Sequence, residues 1–256
     1  MIVGDWQECA VRKLNQSETT KSMDKSGLVT SSQDGVHPQL ERIVHRHLET
    51  PWSQPLHVPT VDVYRGLEAG GVFDGGQPMI LDSGCGTGKS TLQLAGLYPR
   101  HLVIGVDRSR VRLARGGMNS SFLHTGNCVL ARAELATFWR LLASDGHLPE
   151  RHFLLYPNPW PKPGHLSRRW HGHPVFPCLL ALGGEIELRC NWEIYALEFA
   201  MAVRIATGKG VRVKRLKATN GISPFEKKYL ERGQSLFSVL VSEKITAGFR
   251  PGHTAG

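Results

Sequence analysis

The sequence predicts an α/β fold with a seven-stranded, mostly parallel sheet and helices on both faces. From residue 78 onward, short apolar runs alternate with helical patterns, as expected when a crossover helix follows each strand. A turn rich in glycine directly follows the first of these apolar runs. The chain has 256 residues, of which 41% are hydrophobic, and can bury one large core. We therefore expect a single domain over residues 31–256.

The individual elements are predicted from the spacing of their apolar residues. Residues 1–30 contain few large apolar side chains, which indicates a flexible tail. A helix over residues 38–47 is expected ahead of the sheet. Strands are expected over 79–81, 102–106, 128–131, 152–155, 185–189, 211–216 and 235–241. The intervening helices are expected over 90–97, 109–116, 134–143, 175–182 and 192–205.

The excess of positive over negative charge lies entirely in residues 151–256. Residues 1–150 carry 15 Lys and Arg against 15 Asp and Glu, whereas residues 151–256 carry 16 against 7. Two stretches, 162–169 and 204–217, contain Lys and Arg but no acid. Clustered cations gain affinity for nucleic acids by displacing counterions from phosphates, so a polyanionic partner is predicted. A solvated basic face is the alternative.

The location of the protein is predicted from its apolar runs and its cysteines. No apolar run approaches the roughly 20 residues that span a bilayer, and the N-terminus lacks the apolar segment of a signal peptide. The five cysteines are scattered, without a CxxC pair. We therefore expect no membrane association and a reduced, cytoplasmic environment. A monomer and a homodimer are equally compatible with the sequence.

The glycine turn predicts a nucleotide site. It begins at Asp82 and has glycines at 84, 86 and 88, where ligands of doubly wound sheets bind. An NTPase P-loop is disfavoured, because its first glycine would fall at Ser83. A dinucleotide fold is disfavoured, because it needs GxGxxG and the chain has GxGxG. Asp107 ends the next predicted strand, where its carboxylate could accept hydrogen bonds from both ribose hydroxyls or cap the following helix.

The segment from Asp82 to Gly88 resembles the first motif of the class I S-adenosylmethionine-dependent methyltransferases, an acid followed by xGxGxG. The resemblance implies a Rossmann-like sheet with S-adenosylmethionine as cofactor. Asp82 would anchor the amino-acid end of the cofactor, and Glu134 would lie near its adenine amino group. Gly84, Gly86 and Gly88 would form the turn that the cofactor approaches closely; the alternative is ordinary turn chemistry.

A second segment resembles a narrower family. Residues 157–162 read Pro-Asn-Pro-Trp-Pro-Lys, which is similar to the PDPWPK segment of the bacterial tRNA (guanine-N7)-methyltransferases. Residues 191–195 are similar to the DWxxY of that family, and residues 223–226 to its TxFE. The resemblance covers roughly residues 78–243. It implies methyl transfer to N7 of a guanine in tRNA, at nucleotide 46 of the variable loop.

The same resemblance assigns substrate-side roles. Asn158 would be the catalytic residue and would also contact the cofactor, and Glu226 would hold the guanine edge. The remaining residues implied to bind substrate are Lys162, His165, Arg168, Arg169, Asn191 and Ser223, the first four of them at phosphates. Three further cations form a candidate outer track: Lys214, Arg215 and Lys217.

The chain departs from the family pattern at several of these positions. Asn158 and Asn191 stand where the family has Asp, and Ser223 replaces Thr. Guanine N7 has an available lone pair, so its methylation needs no general base and the reaction class can tolerate an amide at 158. Two alternatives remain: a methyltransferase of an exocyclic nucleobase amine, and a catalytically weak RNA-binding scaffold.

Several site residues also have structural alternatives. Asn158 could be a turn residue, Asn191 a helix N-cap, and Glu226 an exposed member of a Glu-Lys-Lys run. Three histidines near Cys178 could suggest zinc, but their spacing matches no standard site. They are His165, His171 and His173. No metal is therefore expected.

Overall fold

Eight strands form one mixed sheet in the computed structural model, which describes residues 28–217, 221–247 and 249. Most of the predicted flexible tail, residues 1–27, lies outside the described residues. The strands are β1 Met79–Ser83, β2 Leu102–Asp107, β3 Phe122–Thr125, β4 Cys128–Arg132, β5 Arg151–Leu155, β6 Glu185–Cys190, β7 Val213–Arg215 and β8 Phe237–Val241. Their order across the sheet is β3-β4-β2-β1-β5-β6-β8-β7.

Nine α-helices lie within the described residues. They are α1 Leu40–Glu49, α2 Val58–Ala69, α3 Lys89–Leu97, α4 Arg110–Arg115, α5 Leu135–Asp145, α6 Phe176–Ala181, α7 Glu193–Thr207, α8 Pro224–Glu231 and α9 Glu243–Thr246. Two 3₁₀ segments, Pro163–Arg168 and Trp170–Gly172, follow β5. None of these described helices is both long and apolar enough to cross a membrane.

The five central strands run parallel and bring their carboxyl ends to one edge of the sheet. β1 lies at the centre, with Asp82 paired in register to Gly105 of β2 and Phe153 of β5. Parallel neighbours require crossover connections, which α3, α5 and the segment after β5 provide. The glycine turn after β1 and the loop after β5 therefore meet at the same edge, where ligands bind in such sheets.

The predicted fold class is confirmed, and the predicted count of seven strands is corrected to eight among the described residues. The additional strand, β3, forms an antiparallel hairpin with β4 at the end of the sheet. Its four residues are exposed or partly exposed, so it has no buried apolar run from which it could be predicted.

Two apolar clusters cover the two faces of the sheet. Ile80 and Val103 pack with Leu94 of α3 on one face, and Leu81 and Ile104 pack on the other with the larger group of helices. Burying each such side chain stabilises the fold by about 1.5–3 kcal/mol. Because successive strand residues alternate between the two faces of a sheet, Asp82 and Ser83, which follow Leu81 in β1, point to opposite faces.

Candidate active site

The glycine turn borders open space. The φ angles of Gly84, Gly86 and Gly88 are +83°, +62° and +78°, values that only glycine adopts without cost. A Cβ atom at Gly84 or Gly86 would meet no atom within 4 Å. At Gly88 it would lie 2.7 Å from a methyl group of Leu130. The turn thus offers bare backbone to a ligand on one side and packs tightly on the other.

Asp82 lies at the base of this turn and is fully buried. Its Oδ2 accepts hydrogen bonds from Ser90 Oγ at 2.7 Å and Thr91 Oγ1 at 2.8 Å. Within the described part of the chain, its Oδ1 has no partner. Burial raises the pKa of Asp82 to about 6, although the two hydroxyls oppose the rise. An unused buried carboxylate oxygen fits the cationic amino group that the sequence predicts here.

Asp107 ties the end of β2 to the glycine turn. Its Oδ2 accepts from the backbone N–H of Gly86 at 3.0 Å, and its Oδ1 accepts from that of Ser109 at 2.7 Å. Arg112 Nη2 lies 3.1 Å from Oδ1. The N-cap of α4 is Ser109, whose Oγ accepts from the N–H of Arg112. Oδ2 therefore retains one lone pair. The alternative that Asp107 caps the helix is not met, because Ser109 holds the N-cap position and the Oδ1 of Asp107 accepts from the backbone N–H of that same residue.

Glu134 is the N-cap of α5. Its two carboxylate oxygens accept from the backbone N–H groups of Ala136 at 2.9 Å and Thr137 at 2.7 Å. Its own N–H donates to Thr60 Oγ1 at 2.8 Å. The adenine contact expected of Glu134 stays a prediction, and the structure adds a capping role that fixes the side chain.

The loop after β5, residues 156–162, is here called the acceptor loop. Tyr156 and Trp160 have φ angles of +52° and +46°, which non-glycine residues adopt at a cost of about 1–3 kcal/mol, commonly at functional sites. Asn158 is exposed at the tip of the loop, and its Oδ1 accepts from the N–H of Trp160 at 3.4 Å. The predicted turn role of Asn158 is therefore present, and its Nδ2 remains available to a ligand.

Three cationic or titratable side chains that follow Trp160 are here called the basic rim: Lys162, His165 and Arg168. The Arg168 guanidinium lies 4.8 Å from the centre of the Trp160 ring, and His165 contacts that ring edge-on. Lys162 and Arg168 are exposed. Desolvation, followed by the charges of Arg168, Lys162 and Arg169, lowers the pKa of His165. The structure therefore brings together three of the four residues predicted to bind phosphate.

Arg169, the fourth, does not lie at the surface. It is fully buried, and its guanidinium donates to the carbonyl of Trp160 at 3.2 and 3.1 Å. It also forms an ion pair with Glu198 and lies over the Trp192 ring. The prediction that Arg169 contacts phosphate is corrected, because every direction of its guanidinium is occupied by protein.

Glu226 is also buried, with 1% of its surface exposed. Arg189 Nη1 lies 3.0 Å from both of its carboxylate oxygens. Ser223 Oγ accepts from the N–H of Glu226 at 3.1 Å and caps α8. The alternative that Glu226 is an exposed residue of a charged run is therefore wrong. Ser223 orients the helix that carries Glu226.

Asn191 lies just beyond the carboxyl end of β6. Its Nδ2 donates to Gln234 Oε1 at 2.9 Å. The N-cap position of α7 is occupied by Trp192 and not by Asn191, so the capping alternative is not met. Asn191, Arg189 and the start of the acceptor loop are neighbours, because the Tyr156 N–H donates to the Arg189 carbonyl at 2.7 Å.

The remaining predicted cations and histidines are dispersed. Lys214 and Arg215 lie on β7 at the far edge of the sheet, exposed and away from β1. His171 Nε2 lies 2.8 Å from Glu198, whereas His173 packs edge-on against Trp52 and Trp170. Over the described ranges, no group of three or more His, Cys, Asp or Glu side chains is arranged to hold a metal ion.

Three residues that support the site were not predicted from the sequence. Arg189, which pairs with Glu226, was assigned only to a strand, and Gln33 and Glu198 were not singled out. Glu198 had a detectable signal: it lies one turn from Tyr195 and Ala202, on the apolar face of α7. A charged residue on a buried helical face requires a partner.

The family model and the relatives that match this chain are all methyltransferases. A family model described as "Putative methyltransferase" matches residues 76–238. The chain is 31% identical over 160 residues to the tRNA (guanine-N(7)-)-methyltransferase of Halorhodospira halophila, covering 59% of this chain and 65% of that protein. It is 26% identical over 180 residues to the tRNA (guanine-N(7)-)-methyltransferase of Alkalilimnicola ehrlichii, covering 67% and 75%. The chain thus spans slightly less than two thirds of the Halorhodospira protein.

Solved structures with a similar fold include an antibiotic-related methyltransferase, at 18% identity and a TM-score of 0.47, covering 68% of this chain and 92% of that one. Another is a variant of the 16S rRNA (adenine(1408)-N(1))-methyltransferase of Catenulisporales acidiphilia with cosubstrate SAM. Its identity is 18% and its TM-score 0.46, covering 68% of this chain and 88% of that one.

Proposed function

We propose that this chain, which belongs to the class I S-adenosylmethionine-dependent methyltransferases, methylates N7 of a guanine in tRNA, at nucleotide 46. One observation carries the proposal: the acceptor loop, with its Pro-Asn-Pro-Trp-Pro-Lys segment, lies beside the glycine turn at the carboxyl edge of the sheet. Relatives named tRNA (guanine-N(7)-)-methyltransferase support the same substrate. We infer a cytoplasmic location from this substrate.

The residues around the glycine turn fit the cofactor. Gly84 and Gly86 leave open space beside their backbone, and the unused Oδ1 of Asp82 suits an ammonium group. Asp107 has one lone pair left on Oδ2 for a ribose hydroxyl. When bound, S-adenosylmethionine supplies an electrophilic methyl group on its sulfonium.

The acceptor side requires orientation more than acid–base chemistry. Guanine N7 carries a lone pair in the neutral base, so no residue has to remove a proton. Holding the reacting atoms in line can contribute about 7–11 kcal/mol to the acceleration. We assign this orientation to Asn158, whose amide oxygen has a second lone pair, and to Glu226, whose lone pairs outnumber its bonds to Arg189.

The basic rim is proposed to hold the tRNA backbone at the entrance to the site. Lys162, the last residue of the acceptor loop, and Arg168, which lies over Trp160, are exposed cations. Such contacts position a nucleic acid without reading its sequence. His165, beside Arg168, has ring nitrogens that can form a hydrogen bond there.

Two measurements test the proposal together. Calorimetry with S-adenosylmethionine measures cofactor binding, and incubation of unmodified tRNA with methyl-labelled cofactor, followed by mass spectrometry of the nucleosides, identifies the product. We expect saturable binding and 7-methylguanosine. A methyl group on the amine of adenine or cytosine would overturn the guanine assignment. Binding without transfer to any tRNA would favour the scaffold.

A further inference from the structure

A buried carboxylate, Glu198 on α7, joins three separate parts of the chain. It is fully buried, and its Oε2 contacts Arg169 Nη1 and His171 Nε2, the latter at 2.8 Å. Its Oε1 accepts from Gln33 Nε2 at 2.6 Å and from the backbone N–H of His37 at 3.0 Å. A buried charge with four donors is held firmly, because losing any of them leaves desolvated polar groups.

The first of the three parts is the segment of residues 31–37, here called the strap, which precedes α1. Gln33 Oε1 accepts from Arg169 Nη2 at 3.0 Å, so its carboxamide bridges both members of the buried ion pair. At its other end, Ser31 Oγ donates to the carbonyl of Pro161 at 2.6 Å. The strap therefore contacts the acceptor loop both directly and through the buried pair.

The second part is the acceptor loop itself. Arg169 donates to the carbonyls of Trp160 and Lys162, the latter at 3.4 Å. Trp160 is one of the two strained residues of the loop, and its N–H is bonded to Asn158. A left-handed non-glycine residue persists only where its surroundings over-determine it. The bonds from Arg169 supply that constraint.

We propose that Glu198 is the positioning residue of the acceptor loop: it aims Arg169 at the Trp160 carbonyl, and through Gln33 it fastens the strap to the same loop. Asn158 is thereby held at the site although neither Glu198 nor Gln33 touches the substrate. The expected effect on catalysis rests on the proposed function. The positioning of the loop by Glu198 is independent of that function.

The third part is the region of the two 3₁₀ segments, where Arg169 and His171 contact Glu198. Burial lowers the pKa of His171, and its Nε2 lies 2.8 Å from Glu198 Oε2. Arg169 and His171 therefore share one carboxylate oxygen, so the direction of Arg169 depends on Glu198 as well as on Gln33.

The test compares Gln33→Ala with Asn127→Ala. Each substitution removes three carboxamide hydrogen bonds. Those of Gln33 join Gly35, Glu198 and Arg169, and those of Asn127 join the carbonyls of Ala95, Tyr98 and His101 at the opposite edge of the sheet. The two substitutions therefore remove the same number of hydrogen bonds, but at different places in the fold.

Mass spectrometry can measure the rate of amide hydrogen exchange in the acceptor loop without any substrate. We expect Gln33→Ala to raise exchange of residues 158–165 at least about 5-fold, and Asn127→Ala to leave it unchanged. We also expect kcat on tRNA to fall on the order of 10-fold in Gln33→Ala, with the Kd for S-adenosylmethionine within about 2-fold of wild type, because a small misplacement of reacting groups slows the reaction strongly.

Arg169→Lys gives a second variant, since Lys keeps the charge beside Glu198 but lacks the fork that reaches two carbonyls. It should raise exchange of the same residues. Unchanged loop exchange in Gln33→Ala, or an equal rise in Asn127→Ala, overturns the proposal. Raised loop exchange with no guanine methylation by the wild type would refute the proposed function and leave the positioning role supported.

Discussion

Arg189 of β6 binds both carboxylate oxygens of Glu226 of α8 through a single nitrogen, at 3.0 Å each. The same guanidinium donates through Nε to Glu187 at 2.7 Å. The carbonyl of Arg189 accepts from the N–H of Tyr156, the first residue of the acceptor loop. One residue therefore connects the end of a strand, the acceptor loop and the carboxylate proposed to hold guanine.

The carboxylates bound to Arg189 should differ in their effect on the reaction. Glu226 is buried at the site, whereas Glu187 is partly exposed within β6. We expect Glu226→Gln to lower kcat/KM on tRNA by about 10- to 100-fold, the equivalent of a charged hydrogen bond. Glu187→Gln serves as the control and should change it by less than about 3-fold. Equal losses in steady-state kinetics would show that Glu226 only balances the charge of Arg189.

The glycine turn provides a test of cofactor placement. Gly86 and Gly126 both have positive φ angles, +62° and +56°, and a Cβ atom at either would meet no atom within 4 Å. Gly126 lies in the β3–β4 hairpin, away from the carboxyl edge. Alanine at either position should cost about 1–2 kcal/mol of unfolding free energy.

Only Gly86→Ala should weaken the binding of S-adenosylmethionine, by at least about 10-fold in calorimetry. Its added methyl group would occupy space beside the backbone that the cofactor needs. Denaturant unfolding of both variants checks the shared backbone cost. Unchanged cofactor affinity in Gly86→Ala would place the cofactor elsewhere.

Cofactor binding should depend on pH through Asp82. Burial raises its pKa to about 6, from 3.8. A raised pKa in an acid means that the ionised form is disfavoured by folding; this cost is fully present above about pH 6 and is relieved as the pH falls toward 3.8. The attraction of the carboxylate for a cofactor ammonium has the opposite dependence, since it exists only while Asp82 is anionic.

We therefore expect the Kd for S-adenosylmethionine to rise about 10-fold between pH 7 and pH 5. Calorimetry over this range should show a flat profile for Asp82→Asn, whose side chain does not titrate there. A wild-type affinity that is constant with pH would mean that Asp82 does not face the amino group.

Much of the central sheet could be predicted because its strands are buried on both sides and read as apolar runs, as in Leu102–Asp107. α2 was missed although Val63 and Leu67 recur at helical spacing among its buried residues. α8 has a single buried residue, Glu226, and so no apolar stripe. The start of this helix is marked only by Ser223, its capping residue.

The site could be predicted only where a local motif carries it. The glycines and Asp82 form such a motif, and so does the acceptor loop. Glu198 and Gln33 are 165 residues apart, and their bond exists only after the chain folds. Arg169 looks like Arg168 in sequence, and only the packing of α7 against the 3₁₀ segments decides that one is buried and the other exposed.

Replacing Asn158 of the acceptor loop with Asp should not lower the rate of methyl transfer. Asn158 is exposed, and its Oδ1 acts as acceptor from the Trp160 N–H, a role that an Asp oxygen can fill. The methylated purine becomes cationic, so a negative charge nearby is favourable. We expect Asn158→Asp to give equal or up to about 10-fold higher kcat, and Asn158→Ala to give a lower one. A large fall for Asn158→Asp in single-turnover assays would show that the donor Nδ2 is essential.

Arg168 should contribute to tRNA binding through its charge. It is exposed above Trp160, next to the proposed entrance. The comparison is Arg168→Gln with Arg100→Gln, since Arg100 is also an exposed cation and lies at the amino end of β2. A residue that neutralises one phosphate steepens the dependence of log K on log salt by about 0.7–0.9. Arg168→Gln should therefore reduce that slope by about this amount and weaken tRNA binding in filter-binding titrations, whereas Arg100→Gln should leave the slope unchanged. If both variants reduce the slope equally, the contact is a diffuse effect of net charge and the basic rim is not the entrance.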